Sequence, residues 1–538
     1  MKYLLILIYF LFSNMLCLHA QVKKEWVVTY DGYGGIDKAA GMSVDQSGNI
    51  YVTGYSYSDT SLYDYLTVKY NPSGQLQWQQ RFDGIAGSED IPTSIAVDGS
   101  GNAYITGSST QSGTKSEITT LKYSTMGNQL WVRTFNGSGE YGGSGSSIAV
   151  YGSGIVYVAG GTYNQNTSVD FTTLKYNSLG ILQWADFING LENIDDQANA
   201  VVTDNYGNAY VTGYIFNGNQ FIYDMHTVKY NSSGVKLWSQ TYNGTGNSLD
   251  QGVAIAVDDS GYVYVTGASR NTTFNYDMVT IKYSPAGTPV WLRRYNGPGN
   301  GSDAGNSILV DDSANVYVSG NSQNDMITIK YNRNGIQQWL KTYNGPANGN
   351  DNSVSMAADS LWNIYITGES EVSLNVSDIV TIKYSPAGNV LWTEIYNSSS
   401  NNDDVPVSVK VDRDNNVIVA GTSYLNGSGF DYVTIKYSQT VGVNQISNQI
   451  PVTTSLKQNY PNPFNPNTII SYELAHNAFV SLKVFDALGK ELKSLVNENQ
   501  NAGSYNVEFD GLNLSSGIYF YKLTLNDFTE TKRMVLLK

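Results

Sequence analysis

The chain has almost no cysteine. Cys17 is the only one in 538 residues, so we expect no disulfide, no thiolate metal site and no cysteine nucleophile. Histidine is nearly as scarce: three are present, and His226 and His476 are the two that lie beyond the first twenty residues. No Ser-His-Asp set, His-x-x-x-His pair or phosphate-binding loop stands out. We therefore predict that the protein is not an enzyme.

Charge is also limited, and positive charge most of all. Charged residues make up 14% of the chain, with 31 Lys and Arg against 46 Asp and Glu, a net charge of −15. Nucleic acids and anionic membrane surfaces attract Lys and Arg, so neither is expected as a partner. Beyond the N-terminus no apolar stretch reaches the length of a membrane-spanning helix.

The N-terminus is the one long apolar run. Lys2 precedes the apolar residues 3–16, and Ala20 offers a small residue for cleavage before Gln21. Residues 1–20 are predicted to be a secretory signal peptide. A lipoprotein anchor at Cys17 is the alternative, but Leu16 stands where such a signal carries a small residue.

What the chain has in abundance is repetition at a period of about 50 residues. The motif Thr-x-Lys-Tyr occurs eight times, ending at Tyr70, Tyr123, Tyr176, Tyr230, Tyr283, Tyr331, Tyr384 and Tyr437. A Trp also recurs eight times, at Trp26, Trp78, Trp131, Trp184, Trp238, Trp291, Trp339 and Trp392. The two series are offset, because the chain starts with a Trp segment and ends with a Thr-x-Lys-Tyr segment.

Each repeat contains four short apolar runs separated by Gly, Ser and Asn turns, which predicts a four-stranded antiparallel sheet. Both faces of these runs carry apolar groups, as expected for blades stacked around an axis. The offset is explained if the N-terminal strand completes the last blade. We therefore predict an all-β protein in which residues 21–438 form an eight-bladed β-propeller closed by that strand. A β-solenoid, or seven blades plus a stray one, remains open at this stage.

Two stretches carry a family resemblance. Val97-Asp-Gly-Ser-Gly-Asn-Ala-Tyr-Ile-Thr-Gly107 and Val257-Asp-Asp-Ser-Gly-Tyr-Val-Tyr-Val-Thr-Gly267 resemble the bacterial SBBP β-propeller repeat. The resemblance implies a propeller fold and says little about activity, since propellers host many functions.

Strand alternation places the long connections between second and third strands on one face of the ring, which we call the variable face. Binding residues are common on loops held by a rigid scaffold. Aromatic side chains on or beside these loops are the candidates for contacting a sugar or a peptide: Tyr55, Tyr57, Tyr63, Phe216, Phe221 and Tyr223. The sixth blade has a much shorter loop there.

An Asp recurs just before the first strand of seven repeats, and the third repeat lacks it. The series is Asp37, Asp90, Asp196, Asp250, Asp303, Asp351 and Asp404. If the first strand is innermost, these residues approach the central channel, where oxygen ligands could hold a hard cation such as Ca²⁺. Hydrogen bonds from Asp to local backbone explain the same recurrence without a metal. No other cofactor is indicated.

After a polar linker at residues 439–455, the composition changes. Residues 456–538 contain short strands that suggest a small Ig-like β-sandwich. This segment resembles the type A C-terminal sorting domain of the type IX secretion system of Bacteroidota-like bacteria. The matching residues are Tyr460, Pro461, Asn462, Pro463, Phe464, Gly489, Gly517, Lys532, Arg533 and Lys538. The resemblance implies that the type IX machinery is a partner and that the protein passes through the periplasm to the extracellular side or the outer-membrane surface.

These observations favour a secreted or cell-surface propeller that binds a glycan or a protein. A structural surface-layer component without a discrete ligand is the first alternative. An extracellular glycoside hydrolase is the second, because such an enzyme needs only two carboxylates.

Overall fold

A computed structural model describes residues 22–32, 34–58, 62–84, 87–112, 115–138, 142–164, 167–218, 222–374, 376–439, 444–447, 451–511, 514–525 and 528–538. The predicted signal peptide lies outside them. Every regular element in the described ranges is a β-strand. Lys24–Ser438 forms one compact unit and Gln439–Lys538 belongs to a second.

The first unit contains eight four-stranded antiparallel sheets, the blades of the predicted propeller. In chain order its strands are β1 (Val22–Tyr30); β2 (Asp37–Val44), β3 (Ile50–Ser58), β4 (Leu62–Tyr70) and β5 (Leu76–Phe82) in blade 1; β6 (Asp90–Val97), β7 (Ala103–Ser112), β8 (Lys115–Tyr123) and β9 (Gln129–Phe135) in blade 2; β10 (Gly143–Tyr151), β11 (Ile155–Tyr163), β12 (Val169–Tyr176) and β13 (Leu182–Ile188) in blade 3; β14 (Gln197–Thr203), β15 (Ala209–Phe216), β16 (Tyr223–Tyr230) and β17 (Lys236–Tyr242) in blade 4; β18 (Asp250–Val257), β19 (Val263–Arg270), β20 (Tyr276–Tyr283) and β21 (Pro289–Tyr295) in blade 5; β22 (Asp303–Val310), β23 (Val316–Ser322), β24 (Asp325–Tyr331) and β25 (Gln337–Tyr343) in blade 6; β26 (Asp351–Ala358), β27 (Ile364–Ser373), β28 (Val376–Tyr384) and β29 (Val390–Tyr396) in blade 7; β30 (Asp404–Val411), β31 (Val417–Leu425) and β32 (Gly429–Gln439) in blade 8.

The N-terminal strand closes the ring, as the offset of the two motif series predicts. The strand order of blade 8 is β1-β32-β31-β30, so β1 is its fourth strand. Blade 8 packs on blade 1: the Ala39 amide donates to Thr422 Oγ1 over 3.0 Å, and Tyr432 Oη donates to the Leu66 carbonyl over 3.1 Å. Residues of β1, blade 1 and blade 8 share one hydrophobic cluster. The ring of eight blades therefore has no open edge at this seam.

The Lys of the Thr-x-Lys-Tyr motif links neighbouring blades. In seven of the eight copies its ammonium group donates to a backbone carbonyl in the turn between the third and fourth strands of the following blade, as from Lys69 to Thr125 over 2.9 Å and from Lys330 to Pro386 over 3.0 Å. The same ammonium lies over the ring of a second-strand tyrosine, 4.8 Å from the Tyr51 centroid for Lys69. A carbonyl and an aromatic face thus replace the water that the cation loses on burial.

Six of the eight recurring Trp side chains donate a hydrogen bond to the same carbonyl, and among the described residues Trp184 Nε1 and Trp392 Nε1 have no acceptor. Trp78 Nε1 donates to Thr125 over 3.1 Å, and Trp26 of the closing strand donates to Pro72 of blade 1 over 3.3 Å. A glycine with positive φ lies under seven of the eight indoles, for example Gly127 (φ 84°) under Trp78, where a Cβ would come within 2.8 Å of the ring. The motif is therefore an inter-blade joint, and its regular recurrence has a structural cause.

In blades 7 and 8 this Lys also lies close to an aspartate carboxylate. Lys383 Nζ lies 3.7 Å from Asp359 and Lys436 Nζ lies 3.1 Å from Asp412. Both aspartates belong to the same blade as the Lys that they contact, in the turn between its first and second strands.

The second unit is a sandwich of two four-stranded sheets, β33-β38-β35-β34 and β37-β36-β39-β40. Its strands are β33 (Asn444–Ser447), β34 (Ser455–Leu456), β35 (Asn467–Leu474), β36 (Ala478–Phe485), β37 (Glu491–Gln500), β38 (Gly503–Asp510), β39 (Gly517–Leu525) and β40 (Phe528–Leu536). Buried residues alternate with exposed ones along the strands, and both sheets contribute to one core. This matches the small sandwich expected for the C-terminal segment.

Candidate functional site

The two faces of the ring differ as expected. Short turns such as Asp98–Gly101 join first to second strands, and turns such as Ser124–Gly127 join third to fourth strands. The second-to-third hairpins and the inter-blade connectors form the variable face. In blade 6 Gly320 pairs with Ile327, whereas in blade 5 the equivalent Gly267 pairs with Val279, so the blade 6 hairpin is five residues shorter and the predicted shortening is confirmed.

Three of the candidate aromatics form a cluster on blade 1. The Tyr63 ring lies 5.1 Å from the Tyr55 ring and 5.5 Å from the Tyr57 ring, both edge to face. All three side chains are half-buried. Edge-to-face packing stabilises the hairpin and leaves part of each ring on the variable face.

Blade 4 repeats this cluster at the equivalent positions. The Tyr223 ring lies 5.3 Å from Tyr214 and 5.4 Å from Phe216. Phe216 is only 2% exposed, so its ring is packed inside the blade and is not available to a ligand. Its nomination as a surface aromatic was therefore wrong, because the cluster turns its ring inward. Phe221 lies outside the described residues.

A cleft opens beside this cluster, between the hairpins of blades 4 and 5. Its volume is about 260 Å³, slightly below the roughly 300 Å³ at which drug-sized sites begin, so it suits one ring-sized group. Its lining residues are Tyr214, Tyr223, Leu249, Asp250, Gln251 and Tyr276. Three phenol rings and one amide side chain thus converge on one small concavity of the variable face.

The charge state of the cleft follows from burial. Burial, followed by the nearby charge of Asp195, raises the pKa of Tyr223, and burial likewise raises the pKa of Tyr214, so both phenols are neutral hydrogen-bond donors at neutral pH. Burial raises the pKa of Asp250, while the Gly244 amide, which donates to Asp250 Oδ2 over 2.6 Å, opposes that shift. The cleft therefore offers neutral hydroxyls and an amide side chain, whereas the Asp250 carboxyl is fully buried in its wall.

Sequence reasoning identified Tyr223 but missed Tyr214 and Tyr276. Tyr214 stands one residue after the second-strand Gly213, as Tyr55 follows Gly54, so alignment of the repeats could have found it. Tyr276 immediately precedes Asp277, as Tyr223 precedes Asp224. Phe274 was also missed; it is 70% exposed on the blade 5 hairpin, with the Arg270 guanidinium 5.0 Å from its ring centroid.

A larger cleft of about 300 Å³ lies on the opposite face, among the short turns. It is lined by turn residues that include Asp204 and Asp258. Both carboxylates already accept hydrogen bonds from their own turns, such as Tyr206 N to Asp204 Oδ1 over 2.9 Å and Ser260 N to Asp258 Oδ1 over 3.0 Å. We therefore assign these aspartates to the turns and regard the aromatic cleft as the better ligand site.

The seven recurring first-strand aspartates are buried where neighbouring blades meet. Each is no more than 1% exposed. In each, Oδ2 accepts a hydrogen bond from a backbone amide of the preceding connector, as from Gly84 to Asp90 and from Gly345 to Asp351 over 2.6 Å. This is the local backbone bonding that the sequence analysis weighed against a metal. This hydrogen bond fixes the connector that leads from one blade to the next.

Across each of these interfaces a second aspartate, from the third strand of the preceding blade, faces the first. The pairs are Asp64 with Asp90, Asp170 with Asp196, Asp224 with Asp250, Asp277 with Asp303, Asp325 with Asp351, Asp378 with Asp404, and Asp431 with Asp37. Burial, with the repulsion of the partner, raises the pKa of Asp224, Asp378 and Asp431 to about 6. Repeated sequence therefore produces repeated pairs of like charges.

Two of these seven pairs contain an arginine. Arg81 Nε donates to Asp64 over 2.5 Å, and Arg294 Nε donates to Asp277 over 2.6 Å. Both arginines stand three residues after the recurring Trp, where the other blades carry Thr29, Thr134, Phe187, Thr241, Thr342 and Ile395. An opposite charge at this position offsets the repulsion in blades 1 and 5 only.

His226 is packed between strands. It is 4% exposed, with Nδ1 3.1 Å from Thr241 Oγ1 and Nε2 2.9 Å from Ser239 Oγ. Burial, with a smaller contribution from Lys236, lowers the pKa of this imidazole to about 4. The ring is therefore neutral at neutral pH and bonded to two hydroxyls.

In the C-terminal sandwich the candidate sorting residues divide into buried and exposed ones. Phe464 is 2% exposed in the core, whereas Tyr460 is 80% exposed. The peptide bonds before Pro461 and Pro463 are cis. Asn462 Oδ1 accepts the Val535 amide over 2.9 Å, which holds this segment against β40.

The remaining sorting residues lie at turns and along the last strand. Gly489 has a φ of 83° in the turn after Asp486, and Gly517 begins β39. Lys532 Nζ lies 2.9 Å from Glu530, while Arg533 and Lys538 are exposed. The tyrosine, the prolines and two of the basic side chains of the sorting motif are therefore exposed on the surface of the sandwich, while Phe464 is part of its core.

Two family models match this chain. The secretion system C-terminal sorting domain matches residues 458–537, and the β-propeller repeat matches residues 28–59 and 83–112. Curated proteins give no match.

Solved structures give distant matches. A Dyadobacter fermentans protein of unknown function is 10% identical over 78% of this chain and 99% of its own, with a TM-score of 0.38. PorZ, a surface component of the type-IX secretion system of Porphyromonas gingivalis, is 10% identical over 95% of this chain and 100% of its own, with a TM-score of 0.22. A Bacteroides caccae protein of unknown function is 12% identical over 55% of this chain and 93% of its own, with a TM-score of 0.31.

Among the described residues no helix has the length and apolar character needed to cross a membrane. The sorting domain directs export to the cell surface or the extracellular space in Bacteroidota. The chain is therefore a secreted SBBP-type β-propeller repeat protein that carries a type IX secretion C-terminal sorting domain.

Proposed function

We propose that the propeller is a non-catalytic binding module and that the cleft between blades 4 and 5 receives a sugar ring of an extracellular glycan. The observation that carries the proposal is the convergence of Tyr214, Tyr223 and Tyr276 with Gln251 on a concavity of about 260 Å³. A pyranose has two apolar C–H faces and a rim of hydroxyls. Flat aromatic rings and neutral donors and acceptors are the groups that complement it.

The position of the cleft supports the same reading. It lies on the variable face, where the blades differ. Its lining residues are held by the strands of blades 4 and 5 and by the connector between these blades. The inter-blade joints and the paired aspartates recur with the repeat, which favours a structural role for them. A site that occurs where the repeat is broken is better suited to specific recognition.

The test is a glycan array followed by calorimetry with the highest-affinity hit, using the full chain. We expect Tyr276→Ala and Tyr223→Ala each to weaken binding about tenfold, since an aromatic contact contributes about 0.5–1.5 kcal/mol beyond its buried area and 1.4 kcal/mol is tenfold. Tyr276→Phe should retain most of the affinity if stacking dominates. Tyr206→Ala removes a tyrosine that is 78% exposed on the opposite face and is the matched control.

Each alternative has its own outcome. If the protein bound none of the glycans and peptides tested, a structural surface component would be favoured. Binding that survives Tyr276→Ala and Tyr223→Ala unchanged would place the site elsewhere. Hydrolysis of a polysaccharide that is lost on one Asp or Glu substitution would replace this proposal with a glycoside hydrolase.

A further inference from the structure

The seam between blade 8 and blade 1 carries a third carboxylate besides its aspartate pair. Asp431 of β32, Asp37 of β2 and Asp31, which directly follows β1, each offer one oxygen, and these oxygens all lie within 4.8 Å of one another. Oxygens bound to one Ca²⁺ are 2.3–2.6 Å from it and so lie within about 5 Å of each other. The spacing therefore fits the coordination sphere of such an ion.

The buried oxygens are not all satisfied by the protein. Asp431 is 2% exposed, and its Oδ2 accepts the Ser428 hydroxyl over 2.5 Å. Its Oδ1 is fully buried and has no hydrogen-bond partner among the described residues. A buried, unpaired carboxylate oxygen is costly unless a cation or a proton meets it.

The other two carboxylates are held in place by backbone. The Gly32 amide donates to Asp37 Oδ2 and the Gly34 amide donates to Asp31 Oδ1, both over 2.6 Å. Both bonds lie at the connection between β1 and β2, and Asp431 joins them from the other end of the chain. The cluster is therefore preorganised, which lowers the entropy lost on binding an ion.

The nearby cations are already engaged. Burial raises the pKa of Asp37, and the charge of Arg81 only opposes that shift. Arg81 itself donates to Asp64 Oδ2 over 2.5 Å and to the Ser56 carbonyl over 3.1 Å. The Lys38 ammonium lies over the Phe430 ring, 4.6 Å from its centroid. Blade 8 has Thr29 at the position of the pairing arginine. Three carboxylates thus meet at the seam, and among the described residues none of them forms a salt bridge with a Lys or Arg.

We propose that this seam is a Ca²⁺ site formed by Asp31, Asp37 and Asp431, and that the bound ion locks the closing strand to the first and last blades. Ca²⁺ prefers carboxylate oxygens and tolerates irregular geometry with water completing its sphere. Extracellular Ca²⁺ modules bind with dissociation constants of about 10⁻⁴–10⁻³ M. The ion would load after export and stabilise the ring outside the cell.

The experiment measures Ca²⁺ binding to the full chain at pH 7.5 by calorimetry, together with thermal unfolding in EGTA and in Ca²⁺ at about ten times the measured dissociation constant. We expect binding and a rise in the unfolding midpoint. Asp431→Asn should weaken Ca²⁺ binding at least about tenfold. In EGTA this variant should unfold at a higher temperature than the wild type, because the substitution removes a buried charge.

Asp31→Asn is the second variant, because Asp31 is exposed and Asn keeps an oxygen for the Gly34 amide. It should fold normally and should also lose at least about tenfold in Ca²⁺ affinity.

Asp224→Asn at the blade 4–5 interface is the control. It removes a buried carboxylate of the same kind where, among the described residues, no cluster of three carboxylates is found, and it should leave Ca²⁺ binding unchanged. Absence of Ca²⁺ binding by the wild type, unchanged binding by Asp31→Asn, or equal loss in Asp224→Asn would each overturn the proposal. Glycan binding at the blade 4–5 cleft is a separate measurement and is unaffected by these outcomes.

Discussion

At the scale of single residues, the glycine under seven of the eight recurring tryptophans illustrates why the repeat is so regular. Gly127 adopts a φ of 84° and lies where a Cβ would come within 2.8 Å of the Trp78 ring. Two independent constraints therefore exclude any side chain: left-handed backbone and a neighbour from the preceding blade. A sequence pattern can show that the glycine recurs, but only the packing shows what it touches.

We expect Gly127→Ala to lower the free energy of unfolding by about 2–5 kcal/mol, since left-handed backbone costs an L-residue about 1–2 kcal/mol and overpacking costs about 1–3 kcal/mol. Urea denaturation followed by tryptophan fluorescence measures this. Gly152→Ala is the matched control, because Gly152 also has positive φ, 56°, but a Cβ there meets nothing within 4 Å. Equal losses in the two variants would show that contact with Trp78 contributes nothing.

At the scale of elements, the aspartate pairs between blades give the propeller an unusual pH dependence. The folded pKa of Asp224, about 6, lies above its unfolded value near 3.9. The native state therefore binds more protons than the unfolded state between these two values, so stability falls as pH rises through that window. Asp196, Asp378 and Asp431, with pKa values of about 6, act in the same direction.

We predict that, in EGTA, the unfolding midpoint rises when the pH is lowered from about 7.5 to about 5. Asp224→Asn should be more stable than the wild type at the higher pH, and this advantage should shrink as the wild-type carboxyl becomes protonated. Thermal unfolding across that range checks both statements. As a control, Asp277→Asn removes a carboxylate that Arg294 neutralises, and it should be destabilising at pH 7.5. A wild-type midpoint that falls over the same interval would contradict the pairing.

At the scale of the whole molecule, ring closure depends on one strand. Trp26 of β1 donates to Pro72 of blade 1 and lies on Gly74 as six of the other recurring tryptophans lie on their glycines. Without β1, strand β32 becomes an exposed edge and the seam loses part of its hydrophobic cluster. Local strand propensity does not carry this information.

Deletion of residues 22–31 should therefore strongly destabilise the propeller or cause it to aggregate. A synthetic peptide of residues 22–32 added in trans should restore the folded ring by strand addition to β32. Size-exclusion chromatography and thermal unfolding measure both effects. A peptide with Trp26 replaced by Ala is the control and should restore less. Undiminished stability of the deletion variant would refute the role of β1.

Export of the whole molecule depends on the sorting domain, which is a compact unit separate from the propeller. We expect a chain lacking residues 456–538 to remain in the periplasm, measured by fractionation of the producing cell. Fusion of residues 439–538 behind a signal peptide and a soluble reporter should carry the reporter out. Normal secretion of the truncated chain would contradict the assignment.

The sequence alone determined the architecture, because its signals are local or repetitive: strands from alternating residues, eight blades from counting, closure from the offset of Trp26 and Tyr437, and the sorting domain from its motifs. It also placed Tyr223 on the variable face. Tertiary structure decided what faces what across blades. The cleft of Tyr214, Tyr223 and Tyr276, the inward ring of Phe216 and the meeting of Asp31, Asp37 and Asp431 all join residues from different hairpins or from opposite ends of the chain. Such contacts depend on the angle and spacing between packed sheets, which no single repeat encodes.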